Sequence, residues 1–237
     1  MTVYRATPLT FQRKRPEVRG SLSRNFKRPM TDHRLYAPAT SRNRDPILKV
    51  LRTVLPAKGA VLEVASGSGD HIVHFARHLP HLTFQPTDRS SEALASISAW
   101  VEAACVDNVR PPLFLDASAS LWPIPVADAI ICINMVHISP WRATIGLISR
   151  AAAILPPGAP LYLYGPFKVK GVHTARSNQE FDRGLHDSDP AWGVRDVAAV
   201  AALARSAGFS EPIITDMPAN NLSVVFRRIQ PDSGASS

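Results

Sequence analysis

The sequence of 237 residues has only two cysteines, Cys105 and Cys132, and they lie far apart in apolar stretches. This spacing is not that of a disulfide framework or of a set of metal ligands. We therefore expect two reduced, buried cysteines, no bound metal and a reducing compartment, namely the cytoplasm. The chain also lacks an apolar run approaching the roughly 18 residues that a membrane helix needs, so we expect no membrane-spanning segment.

Acidic side chains are scarce at the start of the chain. Residues 1–30 hold eight basic residues and one acid, Glu17, and thus carry +7 of the formal net charge of +8. The segment has no apolar periodicity, so we interpret it as a disordered arm. Three alternatives remain open: an organellar transit peptide, a nucleic-acid-binding arm, and an over-long start whose true initiator is Met30.

The rest of the chain alternates short apolar runs with stretches of helical apolar spacing. Such alternation is typical of β-α units and a parallel sheet. The last two runs are separated by only four residues, too few for a crossover helix, so they should pair antiparallel. We predict one α/β domain over residues 31–230, with five β-α units, a mainly parallel sheet, a C-terminal antiparallel hairpin and helices on both faces. Residues 231–237 are expected to form a disordered tail. The predicted strands are 60–65, 82–87, 113–115, 129–133, 161–164, 213–217 and 222–226.

A glycine-containing turn follows the first predicted strand, where Gly67 and Gly69 allow a sharp bend and a close backbone approach to a ligand. Asp88 ends the second strand, nineteen positions after Gly69. A carboxylate at this point of an open α/β sheet can accept hydrogen bonds from ribose hydroxyls. It could also simply cap the helix that follows. Together these features predict a nucleoside-containing ligand at the carboxyl ends of the strands.

A nicotinamide dinucleotide would use similar geometry, but the sequence disfavours it. The dinucleotide fingerprint G-x-G-x-x-G requires a third glycine where this chain has Ile72. Glu63 and Asp70 also place negative charge beside the turn, where a pyrophosphate would bind the helix N-terminus. A cationic ligand with an amino-acid tail tolerates these acids better.

The segment Val61–Gly69 resembles motif I of class I S-adenosylmethionine-dependent methyltransferases. Asp88 and Asp116-Ala117 are similar to the ribose-binding acid and the adenine-contacting pair of that superfamily. The segments 128–130 and 155–158 and the terminal hairpin also fit it. One departure is Ala65, which replaces the usual first glycine of the motif. The resemblance implies a Rossmann-like fold and S-adenosylmethionine bound by Glu63, Ala65, Ser66, Gly67, Gly69, Asp88, Arg89, Asp116, Ala117 and Asn134.

Longer strings resemble a family of uncharacterised methyltransferase-like proteins. The resemblance covers nearly everything from Thr31 to Arg227 but brings no known substrate. The matching strings are 35–38, 42–43, 62–69, 132–141, 164–167, 189–196 and 217–221.

Asn134 and His137 follow the fourth predicted strand, on the side where a transferable methyl group would point. Methyl transfer depends mainly on proximity and orientation, and it needs a base only when the acceptor proton has a high pKa. His137 is our candidate general base, with a structural imidazole as the alternative. The segment 134–137 lacks the Pro-Pro-aromatic sequence of enzymes that methylate amino groups of DNA, so that activity is disfavoured.

Several further side chains are candidate acceptor contacts, each with a structural alternative in the core, a turn or an ion pair. The polar stretch 173–196 is long enough to form a lid or a binding loop. The candidate substrate residues are Tyr36, Arg44, Tyr164, Phe167, Asn178, Trp192 and Arg195.

The sequence therefore predicts an S-adenosylmethionine-dependent methyltransferase that acts on an unidentified small-molecule acceptor. A catalytically silent fold with a binding or regulatory role is the first alternative, because Ala65 departs from the motif. An RNA methyltransferase that uses the basic arm is the second, although a nucleic-acid partner is disfavoured. A nicotinamide dehydrogenase is a distant further alternative.

Overall fold

A computed structural model describes residues 32–230, so the predictions for the arm at 1–30 and the tail at 231–237 lie outside the described residues. Helices and strands alternate along most of this range. The helices are α1 (Thr40–Val54), α2 (Asp70–His78), α3 (Ser91–Ala104), α4 (Trp141–Ile154), α5 (Arg176–Ser188) and α6 (Val197–Ser206). The strands are β1 (Gly59–Val64), β2 (Leu82–Asp88), β3 (Leu113–Phe114), β4 (Ala129–Ile133), β5 (Pro160–Gly165), β6 (Lys168–Val169), β7 (Val172–His173), β8 (Ile213–Met217) and β9 (Asn221–Arg227).

Seven strands form one twisted sheet in the order β3-β2-β1-β4-β5-β9-β8. Strands β1 to β5 are parallel to one another, and β9 pairs antiparallel with both β5 and β8. The chain order reverses between β1 and β4, which creates the switch point where open α/β sheets bind ligands. The predicted fold class is confirmed.

The central strands β4 and β5 are buried at every position because helices cover both faces of the sheet. Successive side chains of a strand point to opposite faces. Leu62 and Val64 of β1 join a core with α4 and α6. Val61 joins a second core with α1, α2 and α3. The Glu63 side chain points to the face opposite that of Leu62 and Val64, and the residue is 2% exposed. A carboxyl group is therefore buried near the end of this strand.

Four expectations about local structure were wrong. The apolar spacing that begins at Ile47 predicts a helix from about Asp45 onward, but α1 begins at Thr40 and contains Pro46. No helix follows β3, since residues 115–128 form turns and irregular structure, so there are four β-α units in place of five. The pair Ser139-Pro140 predicts an N-cap followed by proline at the first helical position, but the N-cap of α4 is Pro140, and the Ser139 hydroxyl donates to the Met135 carbonyl oxygen at 2.7 Å. The stretch 173–196 is no loop, because α5 occupies its centre.

Only one of the two cysteines is buried as expected. Cys132 lies in β4 within the core. Cys105 is exposed, because it follows α3 in the left-handed conformation (φ 53°) that ends the helix. Within residues 32–230, no helix is long and apolar enough to cross a membrane.

Two helical glycines offer a matched test of the packing. A Cβ at Gly146 in α4 would collide with the Ala117 carbonyl oxygen, whereas a Cβ at Gly184 in α5 would meet nothing within 4 Å. Alanine favours a helix interior over glycine by about 1 kcal/mol. We therefore expect Gly184→Ala to raise the melting temperature and Gly146→Ala to lower it in thermal denaturation. Equal shifts for both variants would contradict the tight packing at Gly146.

Candidate functional site

The carboxyl ends of β1, β2, β4 and β5 meet at one edge of the sheet, and a left-handed turn begins the site there. Ala65, Gly67 and Gly69 all have positive φ, at 59°, 59° and 91°. The left-handed conformation costs an L-residue roughly 1–2 kcal/mol, so Ala65 holds a position that favours glycine. A Cβ at Gly69 would lie 2.7 Å from the Ile97 Cα, and its absence allows α2 to approach α3 closely.

Asp88 ties the turn to the end of β2. Its Oδ2 accepts a hydrogen bond from the Gly67 N–H at 3.0 Å, and its Oδ1 accepts one from the Ser90 N–H at 2.9 Å. The residue is 7% exposed. An ionised carboxylate has about four lone-pair sites, so each oxygen retains acceptor capacity after these bonds. Asp88 therefore shapes the turn and can still receive ligand hydroxyls.

Glu63 supplies a buried carboxyl group at the end of β1. Burial, reinforced by the charge of nearby Asp88, raises its pKa to about 8, although a hydrogen bond with Ser66 partly offsets the effect. Its Oε2 has no hydrogen-bond partner among the described residues. A buried oxygen without a partner is uncommon in folded proteins. A cationic ligand would satisfy this oxygen and ionise the group.

A cavity of about 370 Å³ opens beside these residues. This volume is near the lower end of the range of small-molecule sites. One wall is formed by the β1 turn, the end of β4, and α1 and α2. The other comes from α5 and Trp192. The lining residues are Ala37, Ala39, Thr40, Asn43, Glu63, Ala65, Ser66, Gly67, Ser68, His71, Ile133, Asn134, Ile138, Phe181, Gly184, Leu185, Ser188 and Trp192.

A hydrogen-bonded chain of three side chains crosses the polar side of the cavity. His71 Nε2 lies 2.8 Å from Asn43 Oδ1, and the Asn43 side chain also bonds the Tyr164 hydroxyl. Burial, with nearby His74 and Arg44, lowers the pKa of His71 to about 3. The neutral ring donates through Nε2, because Asn43 Oδ1 can only accept.

His137 lies behind the cavity and does not line it. The side chain is fully buried, and burial, followed by the charge of Arg195, lowers its pKa to about 3. Its Nδ1 accepts the Arg195 N–H at 3.1 Å, so the ring lone pair is already engaged. The ring packs edge-on against Phe167, with centroids 4.6 Å apart, and against Gly165. This arrangement favours the structural imidazole over the general base.

Arg195 joins two loops and is not directed at a ligand. Its Nε donates to the Val136 carbonyl oxygen at 3.0 Å, and its Nη2 donates to those of Ser139 and Ala191. The guanidinium also lies over the Trp141 ring. These contacts hold the segment before α6 against the loop after β4.

The other predicted residues divide between the cavity and its surroundings. Predicted residues that line the cavity are Glu63, Ala65, Ser66, Gly67, Asn134 and Trp192, whereas Gly69, Asp88, Arg89, Asp116 and Ala117 do not. Hydrogen bonds from Ser118 lower the pKa of Asp116. Tyr36 packs against Trp100, and Arg44 pairs with Asp70 at 3.2 Å. Tyr164 and Phe167 do not line the cavity. Tyr164 bonds Asn43, and Phe167 packs against His137.

Sequence reasoning missed lining residues from α1, α2 and α5. Thr40, Asn43 and His71 face the cavity, as do Phe181 and Leu185. Thr40 and Asn43 share the helical spacing of the buried Ile47, which is a signal that a helix beginning at Thr40 would have provided. The contribution of α5 had no comparable signal.

Helix α5 is held in place by a buried acid and a buried amide. Asp182 binds Lys168 Nζ at 2.8 Å and His173 Nε2 at 3.1 Å, and it accepts the Val194 N–H. Burial alone would raise its pKa, but these partners outweigh it and leave the pKa lowered. Asn178 donates to the Asn220 carbonyl oxygen at 2.8 Å, which connects α5 to the turn between β8 and β9.

Replacing Asp182 tests this anchor. Because the folded pKa is lowered, the ionised carboxylate contributes stability above its ordinary pKa of 3.8, and the contribution is lost as pH falls through the folded value. We expect Asp182→Asn to lower the free energy of unfolding at pH 7 by about 2 kcal/mol. Denaturant titrations should show less difference between variant and wild type at pH 3. A difference that persists at low pH would contradict the role of the charge.

The strand order, the turn after β1 and the acid at the end of β2 define the class I S-adenosylmethionine-dependent methyltransferase fold. The chain belongs to the family described as "Protein of unknown function (DUF938)", whose model matches residues 34–228.

Solved structures of low sequence identity share the fold. One is an O-methyltransferase family 2 protein from Planctomyces limnophilus in complex with apigenin (18% identity, TM-score 0.67, 81% of this chain and 60% of that chain). Another is CalO1, a methyltransferase in calicheamicin biosynthesis, in its SAH-bound form (17%, 0.64, 80% and 55%). A third is the YcgJ protein from a Bacillus species (13%, 0.62, 81% and 100%). The chain thus spans little more than half the length of the first two.

Proposed function

We propose that the protein is an S-adenosylmethionine-dependent methyltransferase that acts on a small-molecule acceptor. The observation that carries this proposal is Glu63, whose buried Oε2 lacks a partner and whose side chain lines the cavity beside the left-handed turn. A buried acid at this point is suited to a cation, and S-adenosylmethionine carries both an ammonium and a sulfonium group.

The described residues fit this cofactor part by part. Glu63 would receive the ammonium group and, once ionised, balance its charge. Asp88 would offer its remaining lone pairs to the ribose hydroxyls. Asp116 and Ala117 lie outside the cavity lining and are assigned to the adenine by the resemblance of their positions alone. His71 lines the same cavity and is neutral, so it adds no competing charge to the ammonium site.

A dinucleotide fits less well. The third glycine of its fingerprint is replaced by Ile72, which is fully buried in the core. Asp70 opens α2 with a negative charge where a pyrophosphate would need N–H donors alone.

When bound, S-adenosylmethionine supplies an electrophilic methyl group on a positively charged sulfur. The protein's own contribution is to orient the reactants and exclude water, which are the main demands of methyl transfer. Glu63 and the turn at Ala65–Gly67 orient the donor, and α5 with Trp192 covers the cavity. The apigenin and SAH complexes of the related folds are consistent with a small acceptor and this cofactor.

Calorimetric titration tests the cofactor site. We expect S-adenosylmethionine and S-adenosylhomocysteine to bind and NAD not to bind, and Asp88→Ala to abolish binding. Asp107→Ala removes the same charge at an exposed position and is the matched control. No adenosyl binding by a folded wild type would refute the proposal. Binding of NAD alone would support a dehydrogenase, and binding without turnover of any acceptor would support the silent module.

The protonation of Glu63 gives a second test. Because the pKa of the free group is about 8, Glu63 is mostly protonated at pH 7, and ionisation on ligand binding should release about one proton. Titrations in buffers of different ionisation enthalpy measure this release. We expect it to disappear in Glu63→Gln, with weaker cofactor binding. Equal proton release in the variant would show that Glu63 does not face the ammonium group.

A further inference from the structure

The wall of the cavity formed by α5 and Trp192, which we call the acceptor side, is mostly apolar. Its chemistry limits the class of molecule that can accept the methyl group. This inference rests on the proposed function. Most polar lining residues belong to the end of β1 and its turn, to Asn134 and to the inner faces of α1 and α2, and would serve the cofactor. The exception is Ser188 of α5, whose hydroxyl donates to the Gly184 carbonyl oxygen at 2.8 Å. Side chains from the remaining elements are mostly hydrocarbon. They are Ala37, Ala39, Ile138, Phe181, Leu185 and Trp192.

The charged groups around this apolar side are engaged elsewhere. Asp182 on α5 pairs with Lys168 and His173, on the side of the helix that faces the β6–β7 hairpin. Arg195 donates to three backbone carbonyl groups. Among the described residues that line the cavity, Glu63 and His71 are the titratable ones. Transferring a charged acceptor into such a space without a partner would be costly, so the lining selects an uncharged acceptor.

Neither nearby histidine is set up to remove a proton from the acceptor. The lone pair of His137 receives the Arg195 N–H, and the ring lies behind Gly165. His71 is bonded to Asn43, and its pKa of about 3 makes it a weak base near neutral pH. Glu63 is reserved for the ammonium group of the donor. The nucleophile must therefore form by the acceptor's own ionisation.

We propose that the acceptor is a small, uncharged thiol with an apolar body, held against Phe181, Leu185 and Trp192. The thiol binds uncharged and then loses its proton to solvent, and the positive sulfonium of the donor would offset the charge of the anion that forms. The resulting sulfur anion then forms a bond to the methyl carbon, while the bond from that carbon to the sulfonium sulfur breaks and leaves its electron pair on that sulfur. The products are a methyl thioether and S-adenosylhomocysteine, and no oxidant or reductant is needed.

A thiol meets both constraints, whereas an aliphatic alcohol and an alkylamine each fail one. Thiols ionise with a pKa of about 8.5, so a useful anionic fraction exists near neutral pH without a base. The thiolate is also intrinsically very nucleophilic. An aliphatic alcohol stays protonated and would need the missing base, and an alkylamine is a cation that the apolar lining disfavours.

Probes that share one carbon skeleton test the acceptor class in the full chain. Phenylmethanethiol, phenylmethanol, phenylmethanamine and phenylacetate would be titrated into the protein saturated with S-adenosylhomocysteine, and each assayed for methylation by S-adenosylmethionine. We expect the thiol and the alcohol to bind similarly and the two charged probes at least about tenfold more weakly. We expect methylation of the thiol, and of the alcohol at least about 100-fold more slowly, since a general base is worth roughly 10²–10⁴-fold.

The pH dependence tests the origin of the nucleophile. With phenylmethanethiol and the more acidic 4-methylthiophenol, the rising limb of the rate profile should move with the pKa of the thiol. A limb at the same pH for both thiols would show that a group of the protein removes the proton, and would overturn the inference. Methylation of 4-methylphenol or phenylmethanol as fast as the thiol would do so too.

The outcomes separate the two proposals. If S-adenosylhomocysteine does not bind, the proposed function fails. If it binds but phenylmethanethiol neither binds nor is methylated, or a charged probe binds best, the acceptor class is wrong while the cofactor site stands. Phe181→Ser adds a check, because it should weaken thiol binding at least about tenfold and leave cofactor binding unchanged, whereas Arg183→Ser at an exposed position of the same helix should change neither.

Discussion

The hydrogen bond from the Gly67 N–H to the Asp88 carboxylate joins the two strand ends on which the site depends. It fixes the left-handed turn after β1 against the end of β2 and leaves acceptor capacity for a ligand. Because the turn is fixed, Glu63 is held at the cavity wall with a buried oxygen that lacks a partner. Folding leaves the cost of burying this oxygen uncompensated. A cationic ligand that bonds the oxygen would offset that cost.

The second constraint is the covering of the cavity by α5. Asp182 forms ion pairs with Lys168 and His173 and accepts a hydrogen bond from the Val194 N–H. Asn178 connects the start of the helix to the turn between β8 and β9. Asn178 and Asp182 lie on the same buried face of the helix as Leu185, but their polar atoms are bonded to other elements, while Phe181 and Leu185 line the cavity. The same contacts that stabilise α5 thereby leave the acceptor side apolar.

Much of the fold follows from local pattern, and the exceptions have physical causes. Runs of apolar residues marked the sheet because parallel strands covered on both faces have little polar surface. The start of α1 was predicted too late because its apolar spacing begins only at Ile47, whereas the helix begins with the polar stretch 40–45. Helix α5 was taken for a loop because its sequence is strongly polar, and even its buried face carries the polar residues Asn178 and Asp182.

The sequence by itself determined the glycine turn and the positions of Glu63 and Asp88 near strand ends, because each depends on neighbours close in the chain or on the fixed spacing of a β-α unit. Only the tertiary structure decided what His137, Arg195 and Asn43 do. The Arg195 N–H donates to His137 Nδ1 across 58 residues, and Asn43 connects His71 and Tyr164 of two other elements. The identity of a side chain states what it can bond, but packing decides which partner it meets.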